Sequence, residues 1–167
     1  GEKTLRGIPV SAGVCRGKVL VLDKARQVIE PRPLTEAELP EEINRLQRAL
    51  VATREQLQDV QRQLAASLGA SHASIFDAHL LVLEDPALID ETVRVIEQEK
   101  VNAEYAFHRV TERYATALAK VADEYLRERT TDMRDVSTRV INNLQGRDEH
   151  VDLRHLAEPC IIIAHDL

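Results

Sequence analysis

The stretch IFDAHLLVLEDP, residues 75–86, is an apolar run of helical length that ends in two acids and a proline. A residue that precedes proline is pushed out of helical geometry. The stretch therefore predicts a helix over about residues 71–83, a kink or short break at Glu84-Asp85, and a further helix over about residues 87–100.

Apolar side chains in this stretch lie on more than one face of the predicted helix. Phe76, Leu80 and Leu83 can point to a core together, whereas Leu81 and Val82 point elsewhere. An apolar patch ringed by His79, Asp77, Glu84 and Asp85 is typical of a protein-docking surface. Packing of both faces inside a four-helix bundle explains the same pattern, and the pattern alone leaves the two interpretations open.

A long helix precedes this stretch. Apolar residues recur at spacings of three and four over residues 43–64, as in a coiled-coil-like stripe. Two start signals compete: Thr35 with Glu38 fits a capping box, whereas Pro40 fits a first helical turn. The helix is therefore predicted to begin either near Glu36 or near Pro40.

Two more helices follow the kinked pair. Asn102 is a suitable N-cap for a helix that begins near Ala103 and runs to about Ala122. The last helix stops before Gly146, and its apolar stripe consists of Met133, Val136, Val140, Ile141 and Leu144. Because aromatic residues make up only 3% of the chain, the core has to be mostly Leu, Val, Ile and Ala, a composition that favours packed helices.

Strand patterns stand only near the two ends of the chain. Residues 3–8 and 16–22 precede the helices, and a buried-strand pattern covers residues 160–164. Since three strands with no helices of their own make a poor domain, the end strands are predicted to belong together, with the helices inserted between them. The chain then corresponds to a fragment cut inside an α/β domain, divided into residues 1–33, 34–146 and 147–167.

The acidity of the chain is concentrated in one helical region. Residues 70–100 carry seven acids against Arg94 and Lys100, a net charge of −5 out of −6 for the whole chain. Nucleic acid is disfavoured as a partner because a phosphate backbone needs a basic face. A basic protein partner fits better, although a solvated helical face would show the same charge.

Composition also bounds the location of the protein. Cys15 and Cys160 form neither a metal-binding spacing nor a dense disulfide framework. The longest apolar runs fall far short of the roughly 20 residues that span a bilayer, and no signal-peptide pattern opens the sequence. We expect a soluble, cytoplasmic protein without a membrane partner.

The six histidines do not form a catalytic or metal-binding constellation. His72 and His79 are seven residues apart and share a helix face, but a zinc site needs three or four ligands and no third is evident nearby. The common nucleophile-elbow, phosphate-loop and redox motifs are absent from the sequence. We therefore predict no catalytic residue and no metal site in these 167 residues.

Blocks in sequence order carry a family resemblance. Residues 75–85 resemble the helix signature of enzyme I of the bacterial phosphoenolpyruvate:sugar phosphotransferase system. The opening GIPVSAGVCRGK, residues 7–18, is similar to the start of that family, and DEYLRERTTDMRDV, residues 123–136, is similar to a third block. IIIAHDL, residues 161–167, resembles the strand with which the family chain re-enters its α/β domain.

The resemblance implies a mainly α fold, in which a four-helix-type bundle that binds the phosphocarrier HPr is inserted into a truncated α/β phosphohistidine domain. It also implies that the full-length parent is a phosphoenolpyruvate-protein phosphotransferase. Such an enzyme moves phosphate from phosphoenolpyruvate to its own histidine and then to HPr, uses magnesium and forms a homodimer. The family's phosphohistidine motif does not occur here, so these residues alone should be inactive.

HPr-docking positions follow from aligning the blocks. They fall on the kinked helix pair and on the later helices, and comprise Ser74, Asp77, His79, Leu81, Val82, Glu84, Leu88, Leu118, Tyr125, Leu126 and Arg129. Apolar members would form the centre of the interface and charged members its rim. The chain departs from the family at Ala70, Ser71 and Ala87, where glutamates are usual. Steering charge would then come from Asp77, Glu84, Asp85 and Asp90, or else the partner differs in its basic residues.

A competing hypothesis is a non-catalytic helical interaction or regulatory module that never handles phosphate. A phosphotransferase parent predicts a phosphohistidine motif soon after Leu167 in the full-length gene, whereas the interaction module predicts none.

Overall fold

The structure is a computed structural model that describes residues 12–22, 29–68, 75–121, 124–146 and 160–164 of the 167-residue chain. The chain divides into two compact units, one of residues 1–27 with 150–167 and one of residues 28–149. The helices described below belong to the second unit. The predicted strand at residues 3–8 lies outside the described residues.

The mainly helical architecture that the sequence predicts is confirmed. The helices are α1 (Leu39–Leu68), α2 (Ile75–Leu83), α3 (Pro86–Glu99), α4 (Ala103–Ala119) and α5 (Glu124–Leu144). Helix α5 packs against α1, α2 and α4, and α1 also contacts α2, α3 and α4. The second unit is thus a helical bundle with one broken helix.

Both start signals before α1 are used. Glu36–Glu38 form a single 3-10 turn, and α1 follows directly from Leu39 with Pro40 in its first turn. The Thr35 backbone N–H donates to the Glu38 carboxylate at 2.8 Å, and the Thr35 hydroxyl donates to it at 2.7 Å. The two alternatives are therefore consecutive turns of the same segment.

The break predicted before Pro86 is confirmed. Helix α2 ends at Leu83, and Asp85 has extended backbone angles (φ −66°, ψ 112°). The Asp85 side chain accepts a hydrogen bond from the Ala87 N–H at 2.9 Å and so caps α3, whose first residue is Pro86. The carboxylate and the proline end one helix and start the next within two residues.

The core of the bundle is aliphatic, with one phenylalanine. Leu46 and Leu57 of the α1 stripe are fully buried, and Thr53 between them hydrogen-bonds the Ala49 carbonyl at 2.7 Å rather than leaving its hydroxyl unpaired. Their buried partners on the other helices are Leu83, Leu88, Val95, Ile96, Ala103, Ala106, Phe107, Val110, Val136, Val140 and Leu144. Spacings of three and four along each helix place these residues on one inward face.

Buried charges tie α1 to α4 and α5 at one end of the bundle. The Glu42 carboxylate accepts hydrogen bonds from the Arg45 guanidinium at 2.7 Å and from the Ala103 N–H at 2.8 Å. Arg45 also pairs with Glu104 and donates to the Leu144 carbonyl at 3.0 Å. Burial opposes the charge on Arg45, but its bonds to Glu104 and Glu42 outweigh burial and raise its pKa. The network supplies hydrogen-bond partners to backbone groups at the start of α4 and at the end of α5.

The first unit contains two described strands that pair with each other. They are β1 (Lys18–Leu22) and β2 (Cys160–Ala164), which run parallel with Lys18 opposite Cys160 and Leu22 opposite Ala164. Both strand positions were predicted from the sequence, β1 beginning two residues later than expected. Segments more than 130 residues apart thus meet in one sheet, as expected if the helices are inserted between them.

Candidate functional site

Helix α2 packs with one side inward and leaves Leu81 at the surface. Leu83 is buried in the core, and Phe76 and Leu80 pack against it from partly buried positions. The Leu81 side chain, in contrast, is 66% exposed. The interpretation in which both faces of α2 are covered is therefore wrong within the described residues. We call the surface formed by Asp77, Leu81 and Glu84 the α2 patch.

The two acids of the α2 patch contact α1. Gln61 Nε2 donates to Asp77 Oδ1 at 2.7 Å, and Arg54 Nε lies 2.9 Å from Glu84 Oε1. Gln61 follows Arg54 by seven residues, whereas its partner Asp77 precedes Glu84 by seven residues. The segments of α1 and α2 therefore run antiparallel here. Both acids are exposed. Sequence analysis did not identify Arg54 or Gln61, because they stand on the polar face of α1 without any motif.

His79 lies under the surface rather than on it. The residue is only 7% exposed. Its ring meets the Phe76 ring edge-on, with 5.7 Å between the ring centroids. Its Nε2 lies 3.3 Å from Asp132 Oδ1 of α5. Since its side chain reaches α5 and not solvent, His79 can position α2 against α5 but offers little surface to a partner.

Leu88 also differs from its predicted place at the centre of the docking surface. It is 1% exposed and belongs to the core. Because α3 begins at Pro86, Leu88 shares the inward face of that helix with Thr92 and Val95, four and seven residues on. Val82 is partly buried and packs against the same core. These apolar positions support the fold under the α2 patch.

The other predicted docking residues are described in part. Leu118 of α4 and Arg129 of α5 are partly buried. Tyr125 and Leu126 lie in the first turn of α5, and their side chains are outside what the structure describes, as is the whole of Ser74. Arg129 precedes Asp132 by one turn, and Asp132 contacts His79 of α2. Helix α5 therefore contacts the buried His79 of α2 through Asp132.

Two further properties concern the whole described part of the chain. None of the described helices combines the length and the apolar character needed to cross a membrane. In the same residues, no three side chains of the types His, Cys, Asp and Glu are grouped so that they could hold a metal ion.

Comparison with known proteins extends over almost all of the sequence. The family model of the PEP-utilising enzyme, N-terminal, matches residues 6–129. The phosphoenolpyruvate-protein phosphotransferase of Haemophilus influenzae is 35% identical over 163 residues, 98% of this chain and 28% of the relative. That of Geobacillus stearothermophilus is 36% identical over 169 residues, 99% of this chain and 28% of the relative. The chain thus spans less than a third of the length of these curated relatives.

Solved structures show the same fold. A solution structure of Enzyme I (nEIt) superimposes with a TM-score of 0.75 at 36% identity, covering 90% of this chain and 60% of that one. The N-terminal domain of Enzyme 1 - Nitrogen superimposes with a TM-score of 0.68 at 24% identity, covering 89% and 58%, and supports the fold alone. The chain belongs to the family of the PEP-utilising enzyme, N-terminal, and has the fold of the enzyme I N-terminal domain.

Proposed function

We propose that this chain is the part of a phosphoenolpyruvate-protein phosphotransferase that docks the phosphocarrier HPr. Phosphate would pass to HPr from an enzyme histidine that these 167 residues do not supply. The relatives' name states the reaction. The family resemblance implies the phosphocarrier HPr, and for the full-length parent it implies the use of magnesium, a homodimer and a role in cytoplasmic sugar uptake. The docking surface is assigned to the α2 patch and, by the family resemblance, to the start of α5.

The exposed side chain of Leu81 is the observation that carries the proposal. Helix α2 is the most apolar of the described helices, and the residues beside Leu81 turn into the core. A large apolar side chain that stays in water when its neighbours are buried loses the gain of burial unless another molecule covers it. Leu81 therefore fits the desolvated centre of an interface.

Charge around Leu81 suits a basic partner. Asp77 stands one turn before Leu81 and Glu84 almost one turn after it, both on the exposed side of α2. The surrounding region, residues 70–100, carries the net charge of −5 noted above. Negative rim charges raise the encounter rate with a positively charged face and weaken as salt is added.

The buried members of the predicted docking set take a different role. His79 and Leu88 hold α2 and α3 in place from beneath, so their replacement acts on docking through the position of Leu81. By the family resemblance, Leu118, Leu126 and Arg129 also belong to the docking set. Replacing a supporting residue such as His79 or Leu88 should lower both stability and binding, whereas replacing a surface contact should lower binding alone.

Titration of HPr into the isotope-labelled chain tests the proposal. Leu81→Ala should weaken binding by about 1–3 kcal/mol without lowering the melting temperature, because the side chain is already in water in the free protein. Val51→Ala is the matched control, since Val51 is also about half exposed but lies on the outward face of α1. Unchanged HPr affinity for Leu81→Ala, or an equal loss for Val51→Ala, would contradict the assignment.

Phosphorylation separates docking from catalysis. We expect no histidine-linked phosphate on this chain after incubation with phosphoenolpyruvate and magnesium, because none of its six histidines stands in the family's phosphohistidine motif. Acid-labile phosphate on the chain under those conditions would show that a histidine of this chain is itself the acceptor.

A further inference from the structure

Three acids surround Leu81, but the structure leaves them with different electrostatic roles. The Asp85 carboxylate is engaged in capping α3, through the Ala87 N–H at 2.9 Å. Asp77 accepts a hydrogen bond from the neutral amide of Gln61 at 2.7 Å, a partner that brings no counter-charge. Glu84 faces the Arg54 guanidinium at 2.9 Å, which cancels its charge at a distance. Among the described residues, a cation that approaches Leu81 therefore meets Asp77 without a cationic partner and Glu84 already paired with Arg54.

The Arg54–Glu84 pair can open without disturbing the fold. About half of each side chain is exposed, and ion pairs in such positions are screened by water and contribute little to stability. Arg54 belongs to α1 and Glu84 stands just after α2, so either side chain can swing into solvent while the backbone of both helices stays in place. The pair is thus exchangeable, unlike the pair that Arg45 forms with the buried Glu42.

The sequence gives this one pair more weight. Ala70, Ser71 and Ala87 stand where the family resemblance implies glutamates, so fewer carboxylates are present to attract a partner. With those acids missing, Glu84 supplies a large share of the negative charge beside Leu81. That charge therefore depends on whether Glu84 is neutralised or free.

We infer that Arg54 is the resident counter-ion of the docking surface and a specificity determinant for its partner. Arg54 holds Glu84 in the free chain, and a cationic side chain of the partner takes its place on docking. A partner has to offer a cation placed to compete for Glu84 beside an apolar centre that covers Leu81. This inference rests on the proposed docking function and concerns the charge that the surface selects.

Association kinetics with purified HPr as the probe test the role of Arg54. Arg54→Gln should raise the association rate about 2- to 5-fold at low ionic strength, because it frees Glu84, and the gain should shrink as salt is added. Arg48→Gln is the matched control: Arg48 is an exposed arginine of α1 that pairs with Glu41 of the same helix. It makes the same change in net charge but should alter the rate less.

A second substitution tests whether the faster association depends on Glu84. Adding Glu84→Gln to Arg54→Gln should return the association rate to about that of the unmodified chain, because the gain depends on the freed carboxylate. The inference is overturned if Arg54→Gln leaves the rate unchanged or lowers it, if Arg48→Gln raises it equally, or if the double variant keeps the gain. Absence of HPr binding to the unmodified chain is a different result, which removes the proposed function itself.

Discussion

The helical bundle and the strand pair differ in how much apolar surface they bury. In the bundle, Leu46, Leu57 and Phe107 have no exposed surface. In the strand pair, Val19 is 53% exposed and Ile162 and Ile163 are each about 40% exposed. The bundle has a closed core of its own. Within the described residues, β1 and β2 are each hydrogen-bonded to another strand along a single edge.

This difference indicates where the stability of the chain resides. Burial of apolar area is the main favourable term in folding, and a two-stranded sheet by itself is marginal in water. The bundle should therefore fold as a cooperative unit, and the strand pair should open at a lower free energy. A docking surface on the bundle is then independent of how firmly the sheet is held.

Hydrogen exchange is the strongest test of this comparison. Amides of Leu46–Leu57 in α1 should exchange at least about 100-fold more slowly than those of β1 and β2, because they open only when the bundle unfolds. Equal protection in both regions would contradict the comparison and indicate that dimerisation or a strand swap completes the sheet.

Within the bundle, two leucines of the predicted docking set should behave in opposite ways. Leu88→Ala should lower the free energy of unfolding by about 3 kcal/mol, because it removes a fully buried side chain from the core. Leu81→Ala should leave it nearly unchanged. Denaturant titrations followed by far-UV circular dichroism measure both values. Similar losses for the two variants would mean that Leu81 is covered in solution.

The buried charge network should contribute more than any surface pair. Glu42→Gln should cost about 2 kcal/mol of unfolding free energy, since it weakens charge-assisted hydrogen bonds to Arg45 and to the start of α4. Glu41→Gln, at the neighbouring exposed position that pairs with Arg48, is the control and should cost little. The same denaturant titration compares them, and equal costs would show that burial adds nothing at Glu42.

The smallest effect is expected at the 3-10 turn before α1. Hydrogen bonds from the Thr35 N–H and hydroxyl lower the pKa of Glu38 from its ordinary value of 4.5. Ionised Glu38 therefore stabilises the folded chain above pH 4.5, and this contribution is lost as the pH falls through the lowered folded-state pKa. Glu38→Gln should melt slightly below the unmodified chain at pH 7, and the gap should close in acid. A gap that persists in acid, well below the lowered folded-state pKa, would rule out the carboxylate as its source.

Most of the fold could be predicted from local sequence signals. Helix starts and breaks depend on neighbouring residues, so Thr35, Pro40 and the Asp85-Pro86 step could be recognised directly. Strand β2 was recognisable from its unbroken apolar run. Element boundaries shifted by a few residues, as at β1, because the last residues of a strand or helix depend on pairing and packing.

The candidate site was less predictable. Family resemblance singled out α2 and α3 but did not distinguish Leu81 at the surface from Leu88 in the core. Apolar residues stand on several faces of α2, so periodicity alone does not give the orientation of the helix. Partners such as Arg54 come from a helix some 30 residues away, and no local pattern connects them to Glu84.

The sequence by itself determined the helices, the start signals at Thr35 and Pro40, the break before Pro86, the paired strands β1 and β2 and the family, because each depends on short-range preferences or on motifs in order. Only the tertiary structure decided which side of α2 meets the core, that His79 points to Asp132, and that Arg54 neutralises Glu84. Those outcomes depend on how helices rotate against one another to fill a common core, and that rotation is a property of all the contacts together.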